Sequence, residues 1–142
     1  MIYLIILLII AIISVLIIVK NVIELLRNKI KLSTEIASVY LAIRNNVINE
    51  KYKFSEKELH IKIMSVKNNI NLYGSKKLKE KFKEWEDNIN TDKRLWNWIE
   101  LMTISKNDIY IDRKKITPDE IFQSLLASRE DAEKLKKEWN VT

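Results

Sequence analysis

Apolar positions fall into two regimes along this chain. Residues 2–19 read IYLIILLIIAIISVLIIV, with no charge, no proline and no glycine. As a helix rising ~1.5 Å per residue, this run reaches roughly 27 Å, close to the ~30 Å hydrocarbon core of a bilayer. The pattern predicts a single transmembrane anchor over residues 2–19. A cleaved secretory signal is the competing reading. It calls for a basic leading segment, a shorter apolar stretch and a small-residue cleavage site. Here only Met1 precedes the run, and Lys20-Asn21-Val22-Ile23-Glu24 follows it. Ser14 is the only polar side chain inside the span, where a hydroxyl bonds back to the carbonyl four residues earlier. Nothing in the span is ionisable, so no intramembrane proton or ion site is expected. Tyr3 is placed at the outer interface, which aromatic rings favour.

Past Lys20 the apolar positions become periodic. Residues 20–31 form a basic juxtamembrane helix, and residues 32–142 a helical domain. Leu32, Ile36, Val39, Ile43 and Val47 share one helix face, with the helix ending near Asn49. Ser33 and Thr34 either cap a fresh helix start or are passed through by one long helix. Ser55-Glu56-Lys57-Glu58 is a capping box, with Phe54 and Leu59 in the positions of a hydrophobic staple. Leu59, Ile63, Val66, Ile70 and Tyr73 then alternate four and three apart, and Gly74, the only glycine, is expected to close that helix in a left-handed conformation. Ser75 caps a third helix that buries Leu78, Phe82, Trp85 and Ile89 and wets Lys76, Lys77, Lys79, Lys81 and Lys83. Thr91 opens a fourth, with Leu95, Trp98, Ile99 and Met102 inward. From Thr103 to Ile116 the period is lost, which predicts a polar connector anchored by Ile109 and Ile111. Thr117-Pro118-Asp119-Glu120 is a second capping box, with Ile116 and Ile121 as its staple. Ile121, Leu125, Ala132, Leu135 and Trp139 continue one face, and Ser128 marks a candidate break. The fold class is all-α: an N-terminal transmembrane helix followed by an antiparallel bundle of five or six short amphipathic helices.

Composition agrees. One glycine and one proline in 142 residues leave little material for hairpin turns, and 31% charged residues are interleaved with apolar ones. The absence of cysteine excludes disulfides, thiolate metal sites and a lipoprotein anchor. The formal net charge is +6. Lys20, Arg27, Lys29 and Lys31 follow the span and only Glu24 opposes them nearby, so the positive-inside rule puts the N-terminus outside and the domain in the cytoplasm. Juxtamembrane cations attract anionic lipid, at ~1 kcal/mol each close to the surface. Nucleic acid is disfavoured as a partner, because the cations are mixed with Glu and Asp in no arginine-rich block.

Few ingredients of an active site are present. His60 is the lone histidine, beside an inward Leu59, and no Glu stands three residues before it to make a di-iron motif. With one glycine there is no phosphate-cradling loop. Acidic clusters such as Glu84-Trp85-Glu86-Asp87 read as solvated helix faces. No enzyme activity, cofactor, metal or small-molecule substrate is expected. Among the aromatics, Trp85, Trp98 and Trp139 read as core. Trp96 lies two residues before Trp98, so the two point in different directions and one is available as a contact for a partner or lipid.

The stretch Asn71-Leu72-Tyr73-Gly74-Ser75, followed by Leu78, Phe82 and Trp85, resembles a turn in uncharacterised small N-terminally membrane-anchored helical proteins of bacteria and their phages. The resemblance covers residues 32–126 at the level of pattern, and it lends no catalytic residues. Many of those chains carry a basic residue directly after the methionine of the fourth helix, whereas here Thr103 follows Met102. Three functions follow as expectations. The first is a membrane-tethered interaction module that meets a cytoplasmic protein through Trp96 and the Lys76, Lys79 and Lys83 face. The second is a small membrane-active or self-assembling phage- or toxin-like effector. The third and weakest is a nucleic-acid tether.

Overall fold

The computed structural model describes residues 2–48, 55–110, 114–125, 133, 136 and 137. Among these residues there are five helices and no strands: α1 (Ile2–Ile48), α2 (Glu56–Tyr73), α3 (Lys76–Asp87), α4 (Arg94–Asn107) and α5 (Pro118–Leu125). Phe54, Ile111, Ser128, Ala132, Leu135 and Trp139, to which the sequence assigns staple, anchor, break and core roles, lie outside the described residues.

α1 runs unbroken through Ser33 and Thr34, which settles the choice left open by the sequence. Neither hydroxyl caps a new start. Thr34 Oγ1 donates to the Ile30 carbonyl at 3.0 Å, and Ser33 is buried against Ser105, with the two Oγ atoms 3.2 Å apart. At ~1.5 Å per residue this one helix is roughly 70 Å long. Its first half stands clear of the rest of the molecule, and from Leu32 onward its stripe of Leu32, Ile36, Val39 and Ile43 is buried. Ser14 Oγ donates to the Ile10 carbonyl at 2.8 Å, as its place in an apolar span requires.

α2 and α3 follow their local signals. Ser55 accepts from the Glu58 amide, and the Glu58 carboxylate accepts from the Ser55 amide at 3.0 Å. Ser75 accepts from the Leu78 amide, and Leu78, Phe82 and Trp85 are buried. Two details differ from expectation. Ile89 is exposed, because α3 stops at Asp87 and Asn88 turns the chain, donating its amide to the Glu84 and Trp85 carbonyls. Gly74 is extended, at φ −74° and ψ 146°, and not left-handed. What excludes a side chain there is proximity: an added Cβ would stand 2.6 Å from the Ile70 carbonyl oxygen, the acceptor of the Gly74 amide. The glycine lets the chain pass directly from the end of α2 to the cap of α3.

α4 is the hub. It packs against α1, α3 and α5. Leu95, Asn97, Trp98, Ile99, Leu101, Met102, Thr103 and Ser105 are all buried. Both its ends differ from the sequence reading. It begins at Arg94 rather than Thr91, since Thr91 belongs to a turn in which its amide and hydroxyl both donate to the Asn88 carbonyl. It continues to Asn107, five residues into the stretch assigned to a connector. A helix enclosed on several sides carries no single apolar stripe, so its period disappears from the sequence even though the helix persists. Trp98 is fully buried at its centre, edge-on to Trp85 at 4.6 Å and to Phe82 at 6.2 Å between ring centroids, with Nε1 donating to the Ile36 carbonyl at 2.8 Å.

The second capping box closes on α5. The Thr117 amide donates to Glu120 Oε2 at 2.7 Å and the Glu120 amide donates to Thr117 Oγ1 at 3.2 Å. Just before it, the Asn107 side chain pairs with both backbone groups of Ile116 at 2.8 and 2.9 Å, stapling the connector's far end to the end of α4. Half-buried Ile116 and buried Ile121 hold this segment to the core, whereas Ile109, expected to anchor it, is half-buried without packing against the core cluster.

Two outcomes are expected. Gly74→Ala should destabilise the domain by about 1–3 kcal/mol in denaturant titration, because the Ile70 carbonyl must move aside. The two capping carboxylates also make stability pH-dependent. Hydrogen bonds from the Ser55 and Thr117 backbone amides, and then from their hydroxyls, hold Glu58 and Glu120 below their ordinary value of 4.5. A depressed folded-state value gives stability that is complete above the unfolded value and is lost as pH falls through the folded one. The thermal midpoint should therefore hold down to about pH 4.5 and fall below it. The Ser55→Ala, Thr117→Ala double variant should show a shallower acid limb.

Candidate functional site

The residues with no partner inside the fold lie along the first part of α1. The 18-residue window that qualifies α1 as long and apolar enough to cross a membrane is 0% buried. A core helix of comparable hydropathy would be largely covered. Among the described residues it is the single helix of this kind.

Beyond residue 19, α1 continues as a two-faced stalk. Lys20, Glu24, Arg27 and Lys31 recur at spacings of four, three and four, and all are exposed. These positions form one polar stripe. Val22, Ile23, Leu25, Leu26 and Ile30 make a second, apolar side and are also exposed. Lys29 departs from its group. It is half-buried, and its Nζ lies 3.4 Å from the Asp108 carbonyl at the end of α4. A cation at a helix C-terminus meets the negative end of the helix dipole. Of the four cations assigned to lipid contact, Lys20, Arg27 and Lys31 are displayed to solvent, and Lys29 ties the stalk to the domain. The apolar side of the stalk escapes a charge-based reading. The signal that reveals it is the four-three spacing, which carries on past Lys20.

On α3, Lys76, Lys79 and Lys83 are exposed on the side opposite Leu78, Phe82 and Trp85. Lys76 has Glu80 at 3.8 Å, a weak exposed pair. Lys81, grouped with them in the sequence, turns inward. It bridges Glu100 of α4 and Glu84, the latter at 3.0 Å. Burial works against its charge, but the two carboxylates outweigh burial and hold its pKa above the ordinary lysine value. Glu86 likewise pairs with Lys67 of α2 at 2.6 Å. Within the acidic cluster of α3, Glu86 thus ties α3 to α2, while Glu84 pairs within its own helix.

Trp96 is half-buried, which corrects its assignment as an exposed anchor. Trp98 faces α3 and α1 while Trp96 faces α5, where Phe122 packs edge-on to it at 5.6 Å and the Lys136 ammonium sits 5.4 Å from the ring centroid. The two tryptophans do point apart, but a hub helix has neighbours on both sides. Phe122, fully buried, is the residue the sequence reading passed over, because it adjoins Ile121 off the four-three face.

A groove of about 410 Å³ runs between α3, α4 and the connector, lined by Lys77, Lys81, Glu100, Asn107, Lys115 and Thr117 among others. Of its cations, half-buried Lys81 is already paired with Glu100. His60 is exposed on α2. Among the described residues no group of three or more His, Cys, Asp or Glu side chains converges as a metal site would require.

No protein-family model, curated protein or solved structure matches this chain. One further outcome is expected of the Trp96 environment. Phe122→Ala should cost about 3–5 kcal/mol and shift tryptophan emission to the red. The shift should vanish when Trp96→Phe is combined with it.

Proposed function

We propose that this chain is a single-pass membrane-anchored, non-enzymatic interaction module. Residues 2–19 lie in the bilayer, residues 20–31 form a rigid stalk, and the domain stands in the cytoplasm as an antiparallel helical bundle. The observation that carries the reading is the continuity of α1: one helix is wholly uncovered over its apolar half and is a core element of the domain over the other. A backbone that stays helical through residues 20–31 also offers no extended segment to a signal-processing enzyme. Two contacts at the stalk-proximal end of the domain support the up-and-down arrangement. Asn69 near the end of α2 bonds Glu35 near the start of α1's buried stretch, and the end of α4 meets Lys29.

Orientation rests on the cations. Lys20, Arg27 and Lys31 are displayed immediately past the span, and on the cytoplasmic side they would sit over anionic headgroups. The partner contact is assigned to the exposed Lys76, Lys79 and Lys83 face of α3, which suits a protein with an acidic surface. Trp96 is withdrawn from that surface because Phe122 and Lys136 cover it.

Full-length protein should stay in the membrane pellet through alkaline carbonate extraction, and a chain lacking residues 2–19 should not. Protease should remove a C-terminal tag in inside-out vesicles and spare it in intact spheroplasts. Recovery in the carbonate supernatant would dismiss the anchor, and the reverse protease pattern would dismiss the orientation. Charge reversal of Lys76, Lys79 and Lys83 should abolish in-cell cross-linking to the partner while changing stability by less than about 0.5 kcal/mol per site.

A further inference from the structure

We infer that the stalk pairs two copies of this chain, side by side and parallel, through Ile23, Leu26 and Ile30. This rests on the membrane reading above.

The spacing specifies the partner. In residues 20–31, where polar positions supply the contrast that the uniformly apolar span lacks, Ile23, Leu26 and Ile30 stand three and four apart. That is the 3.5-residue repeat of a left-handed supercoil. In the stalk, Ile23 and Ile30 take the a positions and Leu26 the d position. Branched Ile at a with Leu at d is the combination that favours two parallel strands. Within one copy these side chains stay largely exposed: Ile23 is 45% exposed, Leu26 37% and Ile30 52%. Lipid tails do not reach them all. Leu26 and Ile30 stand about 10 and 16 Å beyond Val19, while the headgroup layer is only about 5–7 Å thick.

The fold leaves this side open at Ile23 and Leu26, while Ile30 lines a pocket together with Ile109 and Lys114. Within the domain, α1 is covered along Leu32, Ile36, Val39 and Ile43. At 3.6 residues per turn the centre of that stripe lies about 140° around the helix from the stalk stripe, although Ser33, three residues past Ile30, is buried against Ser105 of α4. Flanking positions raise no objection in a parallel pair: Val22 meets Arg27 of the other copy, and Lys29 meets its Thr34, so no like charges oppose each other. A two-heptad seam is too short to hold strands together in free solution. The anchor compensates, because it confines all copies to one plane, gives them one direction and sets their stripes at one depth. The symmetry is then that of a closed two-fold dimer, the commonest soluble assembly.

The natural absence of cysteine makes the test direct. Full-length copies bearing two different tags are co-expressed, each with one substitution: Ile23→Cys, Leu26→Cys or Ile30→Cys in the seam, and Glu24→Cys or Lys31→Cys on the polar stripe. Membranes are oxidised with copper phenanthroline and run on non-reducing gels, and a parallel sample undergoes carbonate extraction. Mixed-tag disulfide dimers should be several-fold more abundant at the three seam positions than at the two polar ones. Carbonate-resistant protein that gives no mixed-tag dimer, equal yields at all five positions, or stronger linkage at Glu24→Cys or Lys31→Cys would overturn the pairing and leave the anchor standing. Protein released by carbonate would overturn both.

Discussion

The enclosure of α4 organises the domain, and Trp98 shows how. Its ring is wedged between Phe82 and Trp85 of α3, and its indole nitrogen is bonded to the Ile36 carbonyl of α1. One side chain thereby joins three helices. A buried indole N–H without an acceptor would cost about 1–3 kcal/mol. The position of α1 against α4 is accordingly fixed by a directional bond as well as by apolar area. The same holds elsewhere in the interior, where no buried side-chain nitrogen or oxygen among the described residues lacks a partner. Polar contacts such as Ser33 with Ser105 and Asn107 with Ile116 set the register of surfaces whose attraction is otherwise non-directional.

α1 follows two patterns in succession. Over residues 2–19 the side chains are apolar all round apart from Ser14, and the sequence there has no face. From Leu32 onward only one stripe is apolar, since the other side meets water. Residues 20–31 stand between these regimes and carry both a polar and an apolar side. That intermediate character is where a functional reading finds its purchase. Ion pairs elsewhere are absorbed by the fold, with Lys81 held by Glu100 and Glu84, Lys67 by Glu86, and Lys29 on the end of α4.

The structure was legible in the sequence wherever its cause was local. Ser55 with Glu58 and Thr117 with Glu120 are pairs three residues apart whose geometry depends on nothing beyond their own helix turn, and both boxes form. The buried faces of α2 and α3 were legible because each helix has a wet side for contrast. α4 was not, at either end, because a helix with neighbours on several sides gives no such contrast. Trp96 and Phe122 belong to the same case: their burial depends on which helix lies across from them, and periodicity does not encode that. Gly74 was identified as a helix terminator for an incorrect reason. A close approach to the Ile70 carbonyl, not a left-handed backbone, demands glycine there. Of the candidate site, the exposed cations of α1 and α3 were legible from charge alone, whereas the diversion of Lys29 and Lys81 required knowing which carbonyl or carboxylate stood opposite.

The unbroken helix from Ile2 to Ile48 also turns chain length into bearing. Each residue advances the backbone by about 100° and ~1.5 Å. The compass direction in which the domain faces, relative to the side of the span turned toward any neighbour, is thus set by how many residues separate Val19 from Leu32. A flexible linker would let the domain sample every heading. Here a single-residue insertion among residues 20–31 would swing the whole domain by more than a quarter turn while raising it by the width of an atom. The stalk behaves as a keyed shaft: its length in residues is an angular coordinate, and its composition can drift more freely than its count.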